Sequence, residues 1–389
     1  MATFTTYNDP VDMTQLGILD DFESAVFGRE NDHWFTYSAN GETYRFTGTD
    51  FTYDSNGDPT GGTITHINVI DQNGGTENYQ IGKLDLSIQQ FETFAQTNDL
   101  SGFENAIFDG NDIFHVATAQ PPSYFVGGDG NDTFDFSVLS AGVDGGAGYN
   151  TIKFSHGFGY TITPGTIENI QRIVLESGTY SIFLEDHNNT DPDMSGGRPL
   201  TIDGHLLTAS QPLTFEANDQ TVRVNLIGGA GDDTLYGGTG SGTFYGGMGF
   251  DILGGFEGHN NTYIYHAVAE STGIGADLIN GFNAKTDHFE IPTAVTGVDP
   301  AINGGSLSAA TFDADLTTAL QGHLEANHAI LFTPNSGDIG DAKDVIVLVI
   351  DQNGIPGYQD GGDLVMFLVA GHSEHLSHLS VSNFTVWPG

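Results

Sequence analysis

Asp233 and Asp251 stand two repeat units apart, each at the sixth position of a glycine-led unit: GGAGDDTLY fills 228–236 and GGMGFDILG fills 246–254. Between them GGTGSGTFY fills 237–245, so glycine pairs recur at 228–229, 237–238 and 246–247. Glycine supplies the positive-φ backbone that such tight turns need. In each unit six residues turn and three extend, with one apolar side chain aimed inward: Leu235, Phe244 and Leu253. Turns stacked at every second unit bring backbone carbonyls and Asp carboxylates into one gap. Six to eight hard oxygen donors in flexible geometry are what Ca²⁺ takes.

A second block lies upstream. GGDGNDTFD fills 127–135 and GGAGYNTIK fills 145–153, with Phe134 and Ile152 inward. The candidate metal ligands are Gly128, Gly130, Asp132, Gly146, Gly148 and Asn150 in this block, and Gly229, Gly231, Asp233, Gly247, Gly249 and Asp251 in the other. Asp233 with Asp251 offers two carboxylates and is the best pair. Asp132 with Asn150 offers one carboxylate and one amide, a weaker site. On the opposite side the middle unit has Gly242, whose partner two units on is Asn260, so that side is expected to bind weakly or not at all. The last unit, GFEGHNNTY at 255–263, needs a one-residue insertion to bring Tyr263 inward. Asp112, in GNDIF at 110–114, precedes Asp132 by two residues more than the repeat allows and reads as an off-register cap. The competing reading, a flexible glycine-rich linker, has no reason to keep such a register.

These five units fit or nearly fit G-G-x-G-x-D-x-U-x, where U is apolar, which is the calcium-binding nonapeptide signature of the RTX family. The chain resembles RTX proteins exported by Gram-negative bacteria, most closely calcium-binding ones of alphaproteobacterial type. The motif covers about 60 residues, and a looser likeness in segment order covers roughly 100–389. The resemblance implies a mostly all-β chain: a right-handed parallel β-roll, or β-solenoid, with Ca²⁺ turns and two units per coil, flanked by small β-rich α+β end domains. The expected domains are 1–100, a β-rich α+β domain; 101–265, the solenoid, with calcium turns at 127–153 and 228–263; and 266–389, a cap carrying a secretion signal. It further implies export through a type I ABC transporter, guided by an uncleaved signal in about the last 60 residues. The protein would then be secreted, or held at the cell surface. The ending Trp387-Pro388-Gly389 departs from the family's pattern and leaves the signal itself unassigned.

Composition agrees with a cation binder. Acidic residues number 51 against nine basic ones, for a formal net charge of −42. Such a chain does not bind nucleic acid or an anionic membrane surface. It repels itself when compact unless cations neutralise it. A solvated acidic surface, as in a halophile, is the alternative; the glycine register favours bound cations. There is no cysteine, which suits export without disulfides. The start, MATFTTYNDPVDM, has no basic segment followed by an apolar run, so no cleavable signal peptide is expected. The longest strongly apolar run, VIVLVI at 345–350, is too short to span a bilayer.

The remaining elements must hold these turns in place. Residues 154–227 read as short strands that continue the stack without calcium turns, interrupted by an exposed loop at 185–197. The N-terminal part reads as strands joined by turns at Ala39-Asn40-Gly41 and Asn56-Gly57-Asp58-Pro59. DSNGD at 54–58 opens like a calcium loop but lacks its later ligands, and reads as a hairpin turn. A short amphipathic helix is expected over 84–96 with Ser87 as cap, a second over roughly 12–27, and a third over 308–324. Segment 264–292 resembles the closing segment of RTX domains. Strands VIVLVID and DLVMFLV flank the turn QNGIPGYQDGG. There Asp351, Asn353 and Asp360 form either another cation site or a satisfied turn, the turn being preferred.

No catalytic constellation stands out. HExxH is absent, and EHLSH at 374–378 lacks the required order, though His372, His375 and His378 have helical spacing. GHSEH at 371–375 carries only half of GxSxG. Nine scattered basic residues serve a uronate lyase or epimerase poorly. The expectation is therefore a non-enzyme, a calcium-folded protein that self-assembles at a cell surface or in a matrix as a homo-oligomer, filament or lattice. The alternative is a binding module for a host surface or polysaccharide, for which Trp34, Phe35 and Tyr37 could form a sugar platform unless they pack in the core. A secreted polysaccharide-active enzyme is third.

Overall fold

The computed structural model describes all residues except 8–10, 29–30, 118–122, 138–141, 158, 163–165, 185–197, 218–222, 256–258, 340–344, 370–372 and 389. The loop at 185–197 and His372 therefore lie outside the described residues. The chain is mostly β, with long parallel sheets. Two compact units form: one mainly from Met1–His156 with Pro164–Val174, the other mainly from Arg198–Gly389 with Gly157–Thr163 and Leu175–Asp191.

The first unit begins as an antiparallel meander of Trp34–Ala39, Glu42–Tyr53, Pro59–Asp71 and Glu77–Ser87. Asn40 and Gly41 take positive φ and close the first hairpin. Asp54 accepts from the amides of Asn56 and Asp58, at 2.7 and 3.0 Å, so DSNGD is a hairpin turn closed by its own Asp. Strand Thr3–Thr6 then changes the sense of the sheet. Its Phe4 lies opposite Ile81 in an antiparallel pair and opposite Phe114 in a parallel one. From there parallel strands follow in register, aligning Phe114, Phe134 and Ile152. A three-stranded parallel sheet aligns Phe125, Val143 and Ile167. All six of these side chains are fully buried, and the rings of Phe114 and Phe134 stack with centroids 4.6 Å apart.

Helix Ile88–Thr97 is capped by Ser87 in a reciprocal box with Gln90, and packs Phe91 on Phe22 and Phe46. A second helix, Leu100–Ile107, follows at once with Asp99 as its cap. The helix expected over 12–27 does not form. Three single 3₁₀ turns occupy Met13–Gln15, Gly17–Leu19 and Phe22–Ser24, and Asp21 at φ 56° interrupts any continuous helix. Phe35 and Tyr37 are core residues, while Trp34 is half-buried beneath the Arg45 guanidinium, so the three form no sugar platform.

The second unit contains two parallel ladders. One runs Leu200–Asp203, Val224–Ile227, Gly242–Tyr245, Thr262–Ile264, His288–Ile291 and Phe384–Val386. The other runs from Gly159–Ile162 through Tyr180–Leu184, Leu213–Glu216, Thr234–Tyr236, Ile252–Gly254 and Asp277–Asn280 to Asp363–Val369. Along the first, Leu226, Phe244, Tyr263 and Phe289 align inward; along the second, Phe215, Leu235, Leu253, Ile279 and Leu368 do so. Every one of these is fully buried. Antiparallel strands Val345–Asp351 and His328–Thr333 complete the second ladder, and helix Phe312–Leu320 packs Leu316 and Leu320 against them.

Candidate metal centre

In these stacks one amide at, or one residue before, the start of a strand points along the stack. Here a side-chain oxygen from the next level meets it, and the repetition makes columns. In the first unit Asp132 Oδ1 accepts from Asp112 N at 2.8 Å, Asn150 Oδ1 accepts from Asp132 N at 2.8 Å, and Asp112 accepts from Ala2 N. In the second unit Asp233, Asp251 and Asp277 accept from Leu213 N, Asp233 N and Asp251 N at 2.7, 2.8 and 3.0 Å. A third column, also in the second unit, joins Gly242 N to Asn261 Oδ1 and Asn261 N to Asp287 Oδ1, both at 3.1 Å. The sequence-selected pairs Asp132/Asn150 and Asp233/Asp251 are thus brought together at adjacent levels.

One oxygen of each side chain is used in this way. The fate of the second atom separates the columns. Asp112, Asp132 and Asp251 each keep Oδ2 buried with no partner, in side chains at most 1% exposed, while the second oxygen of the equally buried Asp277 has the Tyr265 hydroxyl beside it. Asp233 Oδ2 instead accepts from Gly229 N at 2.6 Å. Asn150 turns its amide nitrogen into its gap, donating to Asn169 O at 3.0 Å and more weakly to Gly146 O at 3.4 Å. In the third column Asp287 Oδ2 accepts from Asn283 N at 3.0 Å, so no oxygen there is orphaned.

A buried carboxylate oxygen without a donor is costly, and costlier when ionised. Burial pushes Asp132 up to about 7 and Asp251 up to about 8, and the neighbouring carboxylates push the same way. Asp233, which has more backbone donors, rises only to about 6. Asp277 is pushed well above the usual range by burial and then by Asp251. A cation beside these oxygens would remove the penalty.

The glycines are needed because the next level's carbonyls sit where a side chain would start. A Cβ on Gly146 or Gly148 would fall on the carbonyl oxygens of Gly128 and Gly130, and one on Gly247 or Gly249 on those of Gly229 and Gly231. Gly128, Gly130, Gly146, Gly148, Gly247 and Gly249 all have positive φ; Gly229 and Gly231 do not. The turn at 228–233 is therefore wound differently, which is how its Gly229 amide reaches Asp233.

Three expectations change. The partner of Gly242 is Asn261, not Asn260, because the spacing there is 19 residues and places Phe244 opposite Tyr263. Asp112 is in the column despite its 20-residue spacing, since strand register, not turn length, sets the pairing. Asp360 does not join Asp351: it is exposed and lies by Gly273 near Asp313, while Asp363 is the residue opposite Asp351. Asp277 and Asp287 were not singled out in the sequence. Both obey a signal it did contain: an Asp or Asn two residues before the inward apolar residue, as in Asp132/Phe134, Asp251/Leu253, Asp277/Ile279 and Asp287/Phe289.

A further oxygen-and-nitrogen group, also unexpected, comprises Asp299, Glu325 and His328, whose ligand atoms lie within 4.8 Å of one another. Its Asp299 is already engaged by His328 Nδ1 at 2.9 Å and Glu325 N at 2.8 Å. Near the C-terminus, Ser373–His378, which carries His375 and His378, is a 3₁₀ helix. No helix among the described residues is long and apolar enough to cross a membrane. No protein-family model matches this chain, and no curated protein matches it.

Proposed function

We propose that this chain is a calcium-folded protein of RTX type: its stacked turns form a right-handed parallel β-roll whose gaps hold Ca²⁺. The observation that carries the reading is the pair of buried, donor-free carboxylate oxygens on Asp132 and Asp251, in a chain of net charge −42. Ca²⁺ would be held by those carboxylates with carbonyls of the adjoining glycine turns; all are hard oxygen donors. Calcium supplies charge neutralisation here. The residues themselves position their oxygens through the amide ladder and exclude water by burial.

The mechanism follows from linkage. Each ion contributes roughly 2.7 kcal/mol when free calcium is about 100 times its Kd. A few ions then make up a large share of a domain's typical stability of about 5–15 kcal/mol. Where calcium is scarce, as in a cytosol, the carboxylates repel and the stack is only marginally stable, so that it opens readily to thread a narrow type I export channel. Outside the cell, calcium closes it. The role is a folding switch and a non-catalytic one. The endpoint is a secreted or cell-surface structure that assembles through its sheet edges. Circular dichroism during calcium titration of EDTA-stripped protein tests the switch: β signal should rise with calcium, and an unchanged spectrum would refute it. Light scattering in calcium tests the assembly; a stable monomer would favour the binding-module reading instead.

A further inference from the structure

The hairpin that joins Val345–Asp351 to Asp363–Val369 lies outside both glycine blocks. Its closing cross-strand pair is Asp351 opposite Asp363. Both are 0% exposed. Like charges directly opposite each other in a strand pair are destabilising, and more so away from water. No ion pair reaches either carboxylate among the described residues.

The two are not equally satisfied. Asp363 accepts from Gln359 N at 2.8 Å, and from Gln352 N and Asn353 Nδ2 at 3.3 Å each. Asp351 Oδ1 accepts from Gly354 N at 2.6 Å, while its Oδ2 is buried with no partner. Asn353 sits at the open side of the same turn, its Oδ1 accepting only from Ile355 N at 2.8 Å. A turn meant to be satisfied by hydrogen bonds alone would not leave a buried carboxylate oxygen bare.

The geometry points to a separate divalent-cation site in this hairpin, taking a hard ion of the Ca²⁺ class through the carboxylates of Asp351 and Asp363. The donor set is all oxygen, which selects calcium over softer metals. The ion neutralises the carboxylate pair and pins the loop that closes the second ladder's antiparallel edge. This site does not depend on the glycine repeats.

Native mass spectrometry and equilibrium dialysis with Ca²⁺ on the full chain, after EDTA stripping, count the ions. Asp351→Asn should bind one ion fewer than the wild type. In the wild type, calcium should slow hydrogen–deuterium exchange across 351–363 at least tenfold. Asp251→Asn should keep the hairpin ion while losing one from the repeats, so failure of the repeat reading shows separately. An unchanged count in Asp351→Asn overturns the inference, and in that case a proton shared between the two carboxyls explains the pair. Should Asp351→Asn fail to fold, exchange across 351–363 that is the same in calcium and in EDTA overturns it equally.

Discussion

The second unit contains two columns, one on each of its parallel ladders, and they solve the same problem in opposite ways. In one, Asp233, Asp251 and Asp277 follow each other, and Asp251 keeps a buried oxygen without a donor. In the other, Gly242, Asn261 and Asp287 follow each other, and every oxygen finds a backbone donor. The amide ladder is common to both, so the ladder is a feature of stacking, not of metal binding. On the proposed reading, the surplus carboxylate oxygen is what would distinguish a metal site. Asn150 in the first unit makes the same point, for its amide nitrogen donates into the gap where a cation would otherwise be needed.

The comparison breaks most visibly if the satisfied column is given the other's chemistry. Asn261→Asp puts an unpaired carboxylate at a fully buried position, and should cost about 3–5 kcal/mol in EDTA at pH 8. Urea unfolding measures it; a change no larger than about 0.5 kcal/mol, the ordinary range of a surface substitution, would mean that burial there is not felt as charge. The reverse exchange, Asp251→Asn, should stabilise the metal-free protein by about 1–3 kcal/mol while lowering its stability in calcium. Melting curves with and without calcium should cross over. A variant less stable under both conditions would show that the carboxylate is not waiting for an ion.

Titration sharpens the same contrast. Burial holds Asp251 near 8 and Asp132 near 7, above their ordinary values of about 4. An acid whose folded pKa is raised contributes stability that is intact below its unfolded pKa and is lost as pH rises through the folded one. In EDTA the melting temperature should therefore fall between pH 4 and pH 8. In calcium the fall should vanish, because metal replaces the proton. Parallel pH profiles in the two conditions would contradict this. The smallest effect concerns the two differently wound turns. Gly249→Ala, at φ 122° and against Gly231 O, should cost about 1–3 kcal/mol, whereas Gly231→Ala, without positive φ and with 3.3 Å to Ala209 O, should cost under about 1 kcal/mol. Equal costs would remove the distinction between the turns.

Much of this architecture was legible in the residues. The inward set Phe134, Ile152, Leu235, Phe244 and Leu253 follows from the repeat spacing, and all five are fully buried. Ser87 marks its helix as a capping residue should. What escaped was whatever depends on register rather than count. Asp277 follows Asp251 by 26 residues because an excursion through Tyr265–Ala276 lengthens the connection without shifting the strand pairing. Counting by repeat units passes over it; counting back two from each inward side chain does not. The stretch 12–27 has apolar residues at helical intervals, yet Asp21 in the left-handed region breaks it into separate turns. Nor does residue type reveal that Asn150 points a donor, not an acceptor, into its gap.

The most direct test is an anomalous difference map from crystals grown in calcium. A peak is expected about 2.3–2.6 Å from Asp251 Oδ2, with another beside Asp132 Oδ2, and none in the column of Gly242 and Asn261. Well-ordered crystals with no peak at Asp251 or Asp132, or with ions in the Asn261 column instead, would contradict the claim that surplus buried carboxylate oxygens mark the metal sites.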